Sequence, residues 1–178
     1  NAADAYWMIQ QAIETDDPVI FFEPKRRYHE RGETEIDEGG APDLGLYDAR
    51  VVRDGRDATL LCYGPMVKTC LQAAEAAREE GRDLEVVDLR SLSPLDLPTI
   101  TDSVKKTGRA VIVHEAQTFA GLGAEIAARV QEECFYHLEA PVLRVGGYNI
   151  PYPPSRFEEE FLPTLDRVLD AVDRSFEH

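Results

Sequence analysis

The 178-residue chain is poor in cysteine, with three, in methionine, with two, and in tryptophan, with one. Cys62, Cys70 and Cys134 are odd in number, scattered and without CxxC spacing. That excludes a disulfide framework and a zinc-ribbon pattern, and suits buried thiols in a reducing cytoplasm. No apolar run approaches the roughly 20 residues a membrane helix needs, and no stretch resembles a signal peptide. Positive charge is also scarce: 19 Lys and Arg stand against 34 Asp and Glu, a net charge of −15. A polyanion repels nucleic acid and anionic membranes, so neither is an expected partner. There is no HExxH or other ligand spacing and hence no expected metal site. What is present, 43% hydrophobic and 30% charged residues, is the composition of a folded globular domain.

The chain starts at Asn1 directly on a helical pattern and reads as a piece of a longer protein. Asp4 is the expected cap of a helix running to about Thr15, and Asp16-Asp17-Pro18 breaks it. Val19-Ile20-Phe21-Phe22 reads as a short strand apolar on both faces. A lone helix and strand cannot cover each other, so this segment reads as the tail of a preceding domain. Residues 25–47 hold Lys25-Arg26-Arg27, then an acidic run from Glu30 to Asp43 punctuated by Gly32, Gly39, Gly40 and Pro42, as an exposed linker would.

From residue 48 the pattern becomes regular. Ala49–Arg53 and Ala58–Tyr63 read as strands joined by an Asp54-Gly55 hairpin turn. A helix from about Pro65 to Glu80 carries Met66, Val67, Cys70, Leu71, Ala74 and Ala77 as its apolar stripe. Strands follow at 84–89, 110–114 and 142–145, alternating with helices at 95–106 and 121–136, and a last helix carries Leu165, Val168, Leu169, Val172 and Phe176. This alternation implies a three-layer α/β/α fold around an open, mostly parallel sheet. Ser93, Pro94 and Asp96 signal a helix start.

Few residues offer chemistry. His114, with Glu115, ends a central strand, the functional edge of such sheets, and is the one candidate acid or base; the alternative is a histidine anchored by packing. Gly121-Leu122-Gly123 opens a helix after a strand, where dinucleotide folds hold phosphate, but Ile126 stands where a third glycine belongs. Gly123 then serves close helix-to-sheet packing. Arg90 at a strand end reads as a structural charge, paired with Asp88 or with an acid on the next element.

Several segments together resemble one family. Glu23-Pro24-Lys25, Tyr63-Gly64, Asp88-Leu89-Arg90-Ser91-Leu92-Ser93-Pro94-Leu95-Asp96 and Lys105-Lys106-Thr107-Gly108-Arg109 fall in the order of the β-subunit of thiamine-diphosphate-dependent 2-oxoacid dehydrogenases. His114-Glu115-Ala116, Leu138-Glu139-Ala140-Pro141 and Arg144-Val145-Gly146-Gly147-Tyr148 most resemble the branched-chain (2-oxoisovalerate) enzymes; pyruvate dehydrogenase β-subunits are the alternative.

The resemblance implies that residues 3–24 end the pyrimidine-binding domain, 25–47 form the linker, and 48–178 form a transketolase-like C-terminal domain. It implies an α2β2 enzyme, with an α-subunit and a second β-subunit as partners, that passes an acyl group to the lipoyl arm of an acyltransferase core. Thiamine diphosphate would belong to the intact enzyme only. The glutamate that activates the coenzyme falls upstream of Asn1, leaving this chain no cofactor-binding residue, no catalytic residue beyond the candidate His114, and no activity alone. Glu139 matches a position that docks the acyltransferase's basic binding domain. The acids of residues 157–178 suit a basic partner as well. The remaining expectation is a stand-alone acidic interaction module.

Overall fold

The computed structural model describes residues 1–29, 31 and 43–178. Most of the acidic run expected in the linker, from Glu30 to Glu38, lies outside the described residues. Five strands form one sheet: β1 (Arg50–Arg53), β2 (Ala58–Cys62), β3 (Leu84–Asp88), β4 (Ala110–Gln117) and β5 (Leu143–Gly147), in the order β1-β3-β2-β4-β5. Only β1 runs antiparallel to its neighbour.

Helices α2 (Met66–Glu79), α3 (Leu97–Thr107) and α4 (Leu122–Cys134) make the crossovers. The step from β2 to β3 goes one way across the sheet, while the steps to β4 and β5 go the other. With right-handed crossovers, α2 must then cover one face and α3 and α4 the other. Two apolar clusters follow. One joins Leu60, Val86 and Val113 to Cys70 and Ala74 of α2, and to Val168 and Val172 of α6 (Leu165–Ser175), a helix that follows the short α5 (Glu158–Phe161). The other joins Leu61, Val87 and Ile112 to Ile100 and Val104 of α3 and to Ile126 and Val130 of α4. The alternation of Leu60 and Leu61 between clusters is the two-residue period of a strand. The three-layer expectation is borne out.

The hairpin expected at Asp54-Gly55 does not form. β1 pairs with β3 instead, Val51 opposite Val87. β2 is buried at every residue and needs a strand on each side, whereas β1 carries Arg50, Arg53 and an exposed Val51 and suits an edge. The turn therefore passes under β3: Arg56 and Asp57 both donate N–H to Asp83 O at 2.9 Å. A Cβ on Gly55 would lie 2.3 Å from the β3 backbone. Glu85, fully buried in β3, is neutralised by Lys106, which also reaches Asp54 at 2.6 Å.

Two cap assignments shift. Asn1, not Asp4, caps α1 (Ala2–Glu14), accepting the Asp4 N–H at 2.8 Å. Asp96, not Ser93, caps α3: one carboxylate oxygen accepts from Thr99 N at 3.1 Å, the other from Ala49 N at 2.9 Å. Gly108, at φ 72°, closes α3 in the left-handed conformation that glycine adopts without strain. The strand expected at 19–22 is absent. Those residues pair with no strand among the described residues, and Ile20 and Phe22 are 81% and 83% exposed. Apolar side chains alone make no strand without a neighbour to take the backbone hydrogen bonds.

Because Gly55 abuts backbone that cannot rotate away, Gly55→Ala should cost about 1–3 kcal/mol. Urea unfolding checks this, and an unchanged midpoint would mean the turn is free of β3.

Candidate functional site

Open α/β sheets receive ligands outside the strand carboxyl ends, where successive connections depart in opposite directions. Here that point lies between β2, which leads to β3, and β4, which leads to β5. Tyr63, just after β2, and His114, in β4, meet there with ring centroids 6.1 Å apart and planes inclined by 16°.

His114 is fully buried. Three glycines give its ring room. A Cβ on Gly123 would lie 2.3 Å from Nε2, and Cβ atoms on Gly121 and Gly146 would lie 3.0 and 3.1 Å from Cε1. Among the described residues neither ring nitrogen has a partner at hydrogen-bond geometry, and only a looser approach to the Ala116 backbone favours the charged form. Burial pushes the imidazole pKa down, so the ring stays neutral. The structure therefore places the sequence's one acid–base candidate in a sealed packing position. The Gly121-Leu122-Gly123 segment, weighed as a phosphate cradle, is occupied by imidazole, in keeping with the packing role read for Gly123. A diphosphate does not fit there, whether from a dinucleotide or from thiamine diphosphate.

Outside this plug, a cavity of about 330 Å³ is lined by Glu115, Gln117, Phe119, Gly121, Tyr152 and Phe161. Burial raises the Glu115 pKa, with Arg26 and Arg27 opposing and Glu158 adding to the shift. Asp88 at the end of β3 is also raised by burial, while it accepts the Arg90 N–H at 3.1 Å. β2 separates the strands of these two carboxyls by two spacings of about 4.8 Å. They cannot share a proton. Cys62, Cys70 and Cys134 are buried free thiols, and burial raises the pKa of Cys62 and Cys134. Among the described residues no three His, Cys, Asp or Glu side chains are grouped to hold a metal ion.

Glu139 lies far from this edge. Its carboxylate takes an ion pair from Arg109, and its N–H donates to Gly108 O at 2.8 Å. Arg109 in turn donates to Ser175 O at 3.0 Å and sits 4.7 Å from the Phe176 ring centre. The docking candidate is thus tied to the end of α6, whose solvent side carries Asp166, Asp170 and Asp173. The expected Asp88–Arg90 pair is only half formed, because the Arg90 side chain turns to Asp4 at 3.0 Å. Asp4, read as a cap, was the missed partner. Its sequence signal was a carboxylate in a first turn that Asn1 already caps.

Residues 48–168 match the family described as the transketolase C-terminal domain. The chain is 54% identical, over 97% of its length, to the pyruvate dehydrogenase E1 component subunit beta of Leifsonia xyli subsp. xyli, of which it covers 50%. It is 49% identical, over 96% of its length, to the 3-methyl-2-oxobutanoate dehydrogenase subunit beta of Mycobacterium tuberculosis, of which it covers 49%. The chain thus spans about half the length of the curated relatives it matches. A solved split-gene transketolase, an inactive beta4 tetramer, superposes with a TM-score of 0.63 at 28% identity, over 80% of this chain and 46% of that one.

The depressed His114 pKa makes a pH prediction. The unfolded imidazole titrates near 6.5, so the unfolded chain takes up its proton first as pH falls. The stability linked to this ring is complete above about 6.5 and is lost as pH falls through that value toward the lower folded pKa. Urea melts from about pH 7.5 to 5 should show this loss, and His114→Gln should remove that component. A slope unaltered by the substitution would mean that the ring is not held neutral.

Proposed function

The chain belongs to the transketolase C-terminal domain family, and on that premise we propose that it is the C-terminal part of the β-subunit of a 2-oxoacid dehydrogenase. On this reading residues 3–24 end the coenzyme-binding domain, 25–47 link, and 48–178 form the assembly domain. The observation that carries it is the plugged crevice. The fold's usual ligand position is filled by the chain's own imidazole, in a chain similar over nearly its whole length to half of such β-subunits. Thiamine diphosphate and the reacting carbon then belong to the α-subunit and the upstream half of β, and the cofactor supplies the decarboxylation chemistry. This part supplies a rigid support, works in the cytoplasm, and has no turnover of its own.

The proposed 2-oxoacid is branched, 2-oxoisovalerate. The relatives' names include both pyruvate and 3-methyl-2-oxobutanoate enzymes. The branched-chain assignment rests on the His114-Glu115-Ala116 and Leu138-Glu139-Ala140-Pro141 segments. The solvent side of α6 supports docking of a basic domain from the acyltransferase core. Glu139 would join it only in competition with Arg109, which makes it a rim contact rather than an anchor.

The test is reconstitution. With its upstream half and an α-subunit, the enzyme should turn over 2-oxoisovalerate with kcat/KM at least about tenfold above that for pyruvate, a difference of about 1.4 kcal/mol. The chain alone should turn over neither. A preference for pyruvate overturns the substrate assignment, and turnover by the chain alone overturns the division of labour.

A further inference from the structure

The motif Asp88-Leu89-Arg90, among the most specific in the sequence, has no part in the crevice, and the structure gives it another task. Arg90 follows β3 with φ 53°, a left-handed conformation that a residue with a Cβ adopts only when its surroundings demand it. The side chain is 2% exposed. Its Nε donates to Asp4 Oδ1 at 3.0 Å, and one terminal nitrogen donates to Gly45 O at 3.0 Å and to Asp48 O at 2.6 Å. One guanidinium thus gathers α1, the chain entering β1 and the end of β3. Arg50 adds a second guanidinium on Asp4 Oδ1 at 3.0 Å and holds Asp43 at 2.8 Å.

What α1 lacks is equally informative. None of its residues belongs to either apolar cluster, and its one buried residue is Asp4. Ile13 is 75% exposed. Besides the Asp4 contacts, Gln11 donates to Leu44 O at 3.0 Å. Among the described residues the polar contacts on the helix centre on a carboxylate between two guanidiniums, beside half-buried Tyr6, Trp7, Met8 and Ile9. A 13-residue helix is marginal in water by itself. Loss of Asp4 strands two guanidiniums, whereas loss of Arg90 leaves Asp4 with Arg50, so the carboxylate is the more costly member to remove.

We infer that Arg90 is a latch that fixes the helix preceding the domain, and whatever is built onto that helix, at one orientation on the sheet. The planar fork is needed, because a lysine ammonium cannot serve a carboxylate and two carbonyls in one plane. In the β-subunit reading, on which this consequence rests, the latch sets the angle between the coenzyme-binding domain and the assembly domain. Arg90 is then a positioning residue.

Hydrogen exchange on this chain tests the latch. Asp4→Asn should speed exchange of the α1 amides at least about tenfold while β2 and β4 keep their protection. Arg90→Gly separates the side chain from the turn, since glycine adopts the left-handed backbone without strain. If Arg90 served only the turn, Arg90→Gly would leave α1 protected; the latch requires faster α1 exchange, smaller than in Asp4→Asn because Arg50 stays on the carboxylate. Arg90→Lys, which keeps the charge, should fail to restore protection. Unchanged α1 exchange in both Asp4→Asn and Arg90→Gly overturns the proposal. No substrate or coenzyme enters this measurement, so its failure is separate from that of the β-subunit reading, which reconstitution decides.

Discussion

The interaction on which the rest depends is the closure of the sheet's switch point by one neutral imidazole. His114 packs so closely against the start of α4 that Gly123 has no room for a Cβ, while Gly121 and Gly146 are closed first by the Gln117 and Ala116 carbonyl oxygens and then by the ring. That contact brings the helix close to the sheet and keeps the ring uncharged. It also removes the position where such a fold would hold a ligand.

Its attachments are divided by physical type. Apolar burial holds α2, α3, α4 and α6 on the sheet in two continuous clusters. The flanking segments are joined by charge instead. Asp4 brings α1 to Arg90, and Arg26 meets Glu159 at 2.5 Å. Apolar cores give rigidity without direction, whereas a guanidinium fork fixes an angle. On the outer side of α6, Asp170 pairs with Arg174 and Asp173 with Arg82, which leaves a mixed charge surface with Asp166 beside it.

The regular part of the fold was legible because its signals are local. The stripe of Met66, Cys70, Ala74 and Ala77 announces α2, and Gly108 announces the end of α3. The three-layer plan follows from the alternation of elements. What failed depends on distant chain. Asp54-Gly55 is a good hairpin turn in isolation, but the need of β2 for two neighbours places β3 between the strands it connects. Val19–Phe22 has strand composition and no strand to pair with among the described residues. Asp4 looked like a cap because its two arginine partners lie 46 and 86 residues away. The site was half legible: His114 stood out as the candidate, with its packing alternative. The reason for that alternative, three glycines from the start of α4 and from β5, appears only when the chain is folded.

The central claim is that the switch-point crevice is filled by the protein itself. Calorimetric titration of the folded chain with thiamine diphosphate, and separately with NAD, tests it most directly. The account predicts no binding heat from either up to about 1 mM, a free energy weaker than about −4.1 kcal/mol. Micromolar binding of either compound that Gly123→Val abolishes would contradict it.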